Sequence, residues 1–561
     1  MMGDKMNHVE ETVPRLTIRH VEHRRSKIQL WVTVIVLFSL YPVYHTHALI
    51  QPGTINKILY FGRSQFTNNR VSMHPSYSSW FLGASSIPTE QGPLFPPDHT
   101  KGVPTPLQAY WGHHQPVLIR KAFHLSSDDA QVWPTWSDIV ALACTNENMD
   151  DDDHQWNDDQ DMDSGESARL IHHIPGQLDT FTLELGPFSE SFVQDYGLGE
   201  NDNYEDGATR CWTLLVNDVD RYKHRLSHWM DLRFGTFLPR WRRDDAQISI
   251  APTGGGIGPH VDNYDVFLLQ TSGTRKWRVT QHPISVQTEM NDLIPNLTVR
   301  ILQNETYSYY EDIELQAGDM LYIPPRFVHW GTSVSMDCVT LSVGCRAPSA
   351  SELVARIAEA TMESVSENAN RRYSEKLSSN NGTPVVAQKV PSLTDTTKAA
   401  MKQLVLDAVK EVLDDDMTWN NIVGNAVTEP KRFSEWATRP LEEVLESDDG
   451  HFTSVWGNSA KEILSRVRRR KDYLQCIEGL PTASAIISGG NDSNKVVTLF
   501  CNGERYEVIC SSFEEEKVVV DILERIEAGE PVLIDSSSPE TSRWLEALIE
   551  DGVLYPVRGM E

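Results

Sequence analysis

At 561 residues, 40% of them apolar, the chain is long enough for several separate cores. A formal charge of -29 argues against a general affinity for nucleic-acid backbone and permits attraction to a basic protein partner. The 7 cysteines are sparse, irregular and never arranged as CxxC, which excludes a disulfide scaffold and a zinc knuckle and implies a reduced interior.

Residues 1–104 read as a leader and linker. Arg24, Arg25 and Lys27 precede the apolar run Leu30 to Tyr41, which has the length of a signal-peptide core and is short for a membrane span. No acidic residue occurs between Glu22 and Glu90, while Lys57, Arg63 and Arg70 are scattered among polar residues. The pattern predicts a signal sequence followed by a transit-like segment, as used for plastids reached through the secretory route. A mitochondrial presequence and a membrane anchor through residues 28–44 are the competing readings.

Residues 105–350 form the next predicted unit. His114 to Arg120 reads as a strand and Trp136 to Leu142 as a short helix. The segment 147–166 carries 10 acidic residues, whose mutual repulsion predicts a disordered surface loop, with docking of a basic substrate or weak cation binding as the alternatives. From Trp212 to Arg346 short apolar strands alternate with Gly, Pro and Asp turns. The clearest are Ala246 to Ile250, Asp265 to Gln270, Lys276 to Val279, Ile313 to Leu315, Met320 to Ile323 and Cys338 to Val343, several with period-two alternation. Their length and spacing predict a mainly β core, a small double-sheet barrel.

Residues 351–475 turn helical. Leu353, Ile357 and Met362 share a helix face within 352–377, and Met401, Leu404, Val405, Ala408 and Val412 share a stronger one within 399–413. Packing within one chain and a homodimerisation module both fit this periodicity. In residues 476–561, strands around Asn502-Gly503 predict a hairpin, and Val518 to Ala528 and Ser537 to Asp551 predict helices. Two helices beside a small sheet suggest an α+β, winged-helix-like domain. Glu524, Glu527, Glu540, Glu546 and Glu550 on those helices argue against direct DNA binding and for a structural or partner-binding role.

Two motifs carry chemistry. Gly254-Gly255-Gly256-Ile257-Gly258-Pro259-His260-Val261-Asp262 places a His-x-Asp pair after a glycine block, and Pro324-Pro325-Arg326-Phe327-Val328-His329 brings a second histidine. Two imidazoles and one carboxylate on one face hold iron(II) while leaving exchangeable positions, the ligand set of a non-haem iron oxygenase. On a strand, side chains two apart share a side, so His260 and Asp262 can point together. His-x-Asp also arises by chance, and a lone late histidine usually packs; the wider context decides. The glycine block lacks the spacing of a phosphate-binding loop.

That context is a resemblance. Trp212 to Val219, Phe237 to Asp245, the glycine block into His260, and Ser342 to Pro348 together resemble the cupin-type JmjC oxygenases, specifically the bacterial-type ribosomal oxygenases that hydroxylate an arginine of ribosomal protein uL16. The resemblance covers residues 105–350 well and the remainder loosely. It implies a double-stranded β-helix (the cupin/JmjC jelly roll) and an enzyme using Fe(II), 2-oxoglutarate and dioxygen, with uL16 or another basic protein as partner. His260, Asp262 and His329 would hold the metal, and Arg275 would take the far carboxylate of 2-oxoglutarate through two parallel bonds. Lys276 should point to the opposite face, and Thr340 or a nearby polar residue on its strand would add a hydrogen bond. Asp244, Asp245, Tyr264 and Asp265 are the candidate substrate contacts, with only one of Asp244 and Asp245 facing inward. Related family members act on ribosomal histidine or on histone lysine, and a catalytically silent interaction scaffold is the reading from a different class.

Overall fold

The computed structural model describes residues 86–95, 102–125, 132–144, 168–189, 211–303, 307–374, 393, 395–429, 455–477, 480–488, 495–534 and 537–558. All belong to one compact unit, Leu82–Glu561. Of the predicted leader and linker, residues 1–85 and 96–101 lie outside the described residues, as does the acidic segment 147–166, whereas residues 86–95 and 102–104 are described and supply β1. Among the described residues no helix is long and apolar enough to cross a membrane.

The first elements are β1 (Thr89–Gln91), β2 (Val117–Arg120), α1 (Trp136–Ala143), β3 (Ala168–His173), β4 (Thr182–Leu185), β5 (Cys211–Val216), α2 (Val219–Tyr222), α3 (His224–Phe234) and β6 (Arg243–Ala251). There follow β7 (Val266–Ser272), β8 (Thr274–Val279), α4 (Val286–Asp292), β9 (Ile313–Gln316), β10 (Met320–Ile323), β11 (His329–Ser333) and β12 (Cys338–Cys345). Nine strands make one sheet in the order β1-β2-β10-β7-β12-β6-β5-β3-β4, and β11-β8-β9 make a second.

Strand alternation sorts the apolar side chains onto two faces. Ile248 and Ile250 of β6, Phe267 and Leu269 of β7, Met320 and Tyr322 of β10, and Leu341 and Val343 of β12 pack with Trp229 and Phe234 of α3. On the opposite face Val266, Leu268, Leu321 and Ile323 meet Trp277, Val279, Ile313 and Leu315 of the smaller sheet. The large sheet is therefore buried on both sides, and the site lies in the space between the two sheets.

This arrangement corrects the fold expectation. The architecture is mixed α/β rather than mainly β, and the sheets do not close into the barrel that a double-stranded β-helix requires. Closure needs continuous hydrogen bonding around a sheet with matched tilt and stagger. Among the described residues the nine-stranded sheet has β1 and β4 as its edges, and β11-β8-β9 forms a separate sheet that pairs with neither. Contacts such as Gly256 with Thr332, His260 with His329 and Thr280 with Tyr309 are isolated bridges from loops. Period-two alternation reveals which face of a strand is apolar but not which strand it pairs with.

The remaining elements are α5 (Ala350–Glu363), α6 (Glu367–Asn370), α7 (Asp395–Asp414), α8 (Asp416–Thr428), α9 (Ala460–Arg470), β13 (Tyr473–Cys476), β14 (Thr482–Ser488), β15 (Lys495–Cys501), β16 (Glu504–Cys510), α10 (Phe513–Ala528), β17 (Val532–Leu533), α11 (Pro539–Glu550) and β18 (Leu554–Val557). They add two three-stranded sheets, β17-β13-β18 and β14-β15-β16. The Asn502-Gly503 hairpin forms between β15 and β16, both residues having positive φ, as a tight primed turn requires. The helix expected over 352–377 is interrupted: α5 ends at Glu363, and α6 restarts from a Ser366 cap.

Two buried arginines join this portion to the elements that precede it. Arg240 donates to the carbonyls of Ile526 and Ile477, each at 2.9 Å, and Arg346 donates to those of Val427 and Glu429. Helix α8 seats on the β14-β15-β16 sheet at Gly424, where an added Cβ would lie 2.4 Å from the ring of Phe500. Gly424→Ala should therefore destabilise the protein by about 1–3 kcal/mol through overpacking, outweighing a helix-propensity gain of about 1 kcal/mol. Chemical unfolding checks this, and a more stable variant would contradict it.

Candidate metal centre

The glycine block lets the chain turn from β6 back under β11 at close range. A Cβ on Gly255 would lie 2.2 Å from the Trp212 carbonyl oxygen, and one on Gly256 would lie 2.5 Å from that of Gly331. The block ends at His260, whose N–H donates to the His329 carbonyl at 3.1 Å while the His329 N–H donates back at 2.9 Å. The expected strand around His260 and Asp262 is an extended loop with this one bridge. Strand β11 pairs with β8, setting His329 opposite Val279 and Ser333 opposite Arg275.

His260, Asp262 and His329 converge so that one ligand atom from each lies within 4.8 Å of the others. The imidazoles are 4.4 Å apart between centroids, and His329 Nε2 lies 3.5 Å from Asp262 Oδ2. A carbonyl only accepts, so the 2.9 Å contact of His260 Nδ1 with Gly258 O and the 3.0 Å contact of His329 Nδ1 with Phe327 O assign the proton to Nδ1 in both rings. Each Nε2 then presents its lone pair toward the cluster, the tautomer a metal needs. Two nitrogens and one carboxylate oxygen with space beyond them fit iron(II).

Arg275 lies in the same intersheet space and is 3% exposed. Its Nε contacts Cys338 Sγ at 3.3 Å and its Nη1 donates to Ser249 Oγ at 3.1 Å, while its buried Nη2 has no hydrogen-bond partner among the described residues. Gly331 makes room for it, since a Cβ there would lie 2.9 Å from both Arg275 Cδ and the Trp277 ring. Burial opposes ionisation of Cys338, yet the Arg275 charge and hydrogen bonds from Ser333, Arg275 and Gln270 hold its thiol below the ordinary range. Lys276 is exposed on the opposite face and pairs with Asp312 at 2.7 Å.

The other candidates are placed as follows. Thr340 donates to Gln270 Oε1 at 2.9 Å, inside the sheet. Asp244 is buried, its Oδ1 3.6 Å from Arg346 Nε. Asp265 accepts from Tyr322 Oη at 2.7 Å and from Arg242 Nη2 at 3.2 Å. Asp245 lies on the other side of β6 from Asp244, near Tyr264. The negative Asp262, burial and Asp245 together push the Tyr264 hydroxyl well above its usual range. Ser249, Gln270 and Cys338 were not singled out in the sequence; their signal was a polar side chain at inward parity in an otherwise apolar strand. A cleft of about 760 Å³ opens beside the centre, with walls that include His173, Asp179, Phe181, Pro259 and Trp330.

Comparisons with known proteins agree with this geometry. Residues 232–353 match the profile of the JmjC domain family, so this region is a JmjC domain. The chain is 36% identical over 202 residues to the ribosomal protein uL16 3-hydroxylase of Escherichia coli K12, covering 36% of this chain and 47% of that protein. It is 33% identical over 222 residues to a probable ribosomal oxygenase of Haemophilus influenzae, covering 39% and 51%. The chain thus spans about half the length of these curated relatives. The structure of the Escherichia coli ribosomal oxygenase YcfD in complex with cobalt and 2-oxoglutarate superposes with a TM-score of 0.51 at 22% identity, over 80% of this chain and 98% of that one, a likeness of fold. Over the matched stretch the chain is thus similar to the bacterial ribosomal oxygenases.

Removing a ligand should remove the site: Asp262→Ala is expected to weaken Co(II) binding by at least about tenfold, as measured by titration. Equal affinity would contradict the assignment. The histidines also give a pH dependence. His173 is pushed down to about 4 by burial and by His172, and His329 to about 4 by burial and by His260. Both exclude protons that the unfolded chain accepts below 6.5, so stability of the metal-free protein is full above 6.5 and is lost as pH falls toward 4. His173→Phe, which keeps the ring stack on Phe181, should flatten that loss in thermal melts; an unchanged slope would contradict it.

Proposed function

We propose that the chain is an Fe(II)- and 2-oxoglutarate-dependent oxygenase that hydroxylates a ribosomal-protein side chain, with an arginine of uL16 as the target. The observation that carries this reading is Arg275, a buried guanidinium whose Nη2 has no partner among the described residues, in the same intersheet space as the His260–Asp262–His329 cluster. Burying a cation without an acid partner is costly unless an anion completes it. In the β11–β8 register, Arg275 and His329 are four residues apart, about 13 Å of strand. An arginine side chain and a five-carbon dicarboxylate chelated at the metal together bridge that gap.

Iron(II) at the triad, with 2-oxoglutarate and dioxygen, supplies the chemistry: one oxygen atom enters succinate as carbon dioxide leaves, and the other enters a substrate C–H bond. The chain's own residues bind and orient. Ser249 and Cys338 hold the guanidinium through Nη1 and Nε, which leaves Nη2 as the donor that would meet the far carboxylate of the cosubstrate. Thr340 acts through Gln270. Trp277, Val279 and Phe327 keep water from the interior. Asp245 and Tyr264 are the proposed substrate contacts, supported by their shared place beside Gly344 and by the nearness of Tyr264 to Asp262. Asp244 and Asp265 act behind them through Arg346 and Arg242.

The names of the bacterial relatives support uL16 as partner, and the cleft beside the ligands and the charge of -29 suit a basic polypeptide. Val354 and Met362 of α5 and Met401 and Val405 of α7 are exposed, which supports self-association of the helical segment as a homodimer.

The test is mass spectrometry of uL16 fragments after incubation with the chain, Fe(II), 2-oxoglutarate and oxygen, with His260→Ala as blank. The reading expects one added oxygen atom on a single arginine; no addition and no succinate from iron-loaded protein would overturn it. Addition to a histidine, or demethylation of a lysine peptide, would replace the target residue. Arg275→Ala should raise the 2-oxoglutarate requirement roughly 10- to 150-fold, the equivalent of about 1.5–3 kcal/mol for a charged hydrogen bond. An unchanged requirement would remove Arg275 from the site.

A further inference from the structure

Arg326 occupies a left-handed backbone conformation, φ 72, which a non-glycine residue rarely adopts. That conformation aims its N–H at the Asp262 carbonyl oxygen, 2.8 Å away, and its carbonyl accepts from the Ile284 N–H at 2.8 Å. The guanidinium holds the turn in place: Nε donates to Ile284 O at 3.2 Å, and Nη1 donates to Asn263 Oδ1 at 2.9 Å and to Glu289 Oε2 at 2.5 Å. Glu289, on α4, is itself fixed by Arg300 at 2.7 Å.

One residue thus ties together the loop that carries His260 and Asp262 and the turn that leads, three positions later, to His329. The His260–His329 bridge already sets the two imidazoles against each other. Asp262, two residues beyond the bridge, is joined to the His329 turn by the Arg326 N–H. A strained backbone persists where surrounding contacts over-determine it, and such positions concentrate at functional sites.

We propose that Arg326 is a positioning residue of the metal centre: its guanidinium, bonded to Asn263 and Glu289, holds the turn whose N–H fixes Asp262 relative to His329. The inference rests on the metal reading of the triad. Outer partners of this kind typically change metal affinity by about 10–100-fold. A residue that only stabilised the fold would act independently of Asp262.

The experiment is a Co(II) titration of the full chain, read by affinity and by the visible absorption of the bound ion. The proteins compared are the parent, Arg326→Gly, Asp262→Ala and the double variant. Glycine keeps the N–H and tolerates the positive φ, so Arg326→Gly removes the side chain with its guanidinium bonds and leaves the backbone contact; Arg326→Lys serves if the glycine variant does not fold. The expected result is about 10–100-fold weaker binding with a changed spectrum in Arg326→Gly, and no further loss in the double variant relative to Asp262→Ala. Parent-like affinity and spectrum in Arg326→Gly, or losses that add in the double variant, would overturn the proposal while leaving the metal reading intact. Failure of the parent to bind Co(II) would overturn both.

Discussion

Two backbone hydrogen bonds between His260 and His329 are the constraint on which the centre depends. Each is worth only about 0.5–1.5 kcal/mol net, but together they make a loop from the large sheet run alongside the edge strand of the small one. The glycine block permits that approach, because side chains at Gly255 or Gly256 would strike backbone within 2.5 Å. The β11–β8 register then places Arg275 at a fixed span from His329. A shift of one residue would turn Arg275 to the outer face that Lys276 now occupies.

Behind the large sheet, charge is buried in quantity. Asp231 contacts Arg243 and lies 3.7 Å from Arg240, and both arginines are less than a tenth exposed. Removing one partner from such a cluster leaves an uncompensated buried charge, so the cluster specifies how the C-terminal portion seats more than it adds to stability. Arg346 extends the same logic toward α8, and its carbonyl accepts from Arg242, which in turn holds Asp265. The metal loop is therefore pinned at Asp265 from the helical side and at Asp262 and Asn263 from Arg326.

Much of this was legible from local pattern. The β7 and β12 strands and the Asn502-Gly503 hairpin follow from alternation and turn chemistry, while the pairing of His260 and Asp262 with the distant His329 followed from ligand type and the family resemblance, since the stretch around His260 is a loop and not the expected strand. What was not legible is long-range. Alternation marked the segments Ala246 to Ile250 and Asp265 to Gln270 as strands but did not reveal that the β strands form two open sheets rather than a closed barrel, since hydrogen-bonding partners far apart in sequence leave no local trace. Asp244 and Asp265 read as free acids near a pocket because Arg346 and Arg242 pair with them only after folding. Arg326 carried no signal at all: its left-handed backbone and its hold on Asp262 are tertiary facts.

The central claim is that one space between two sheets holds a metal through three side chains and a dicarboxylate through Arg275. Anaerobic addition of Fe(II) and 2-oxoglutarate, followed by visible absorption, tests it directly, because chelation of the metal by the 2-oxo acid produces a charge-transfer band. The account predicts the band with the parent chain, its loss in His260→Ala, and its return in Arg275→Ala only at much higher 2-oxoglutarate. A band that is absent from the iron-loaded parent, or that is indifferent to Arg275, would contradict it.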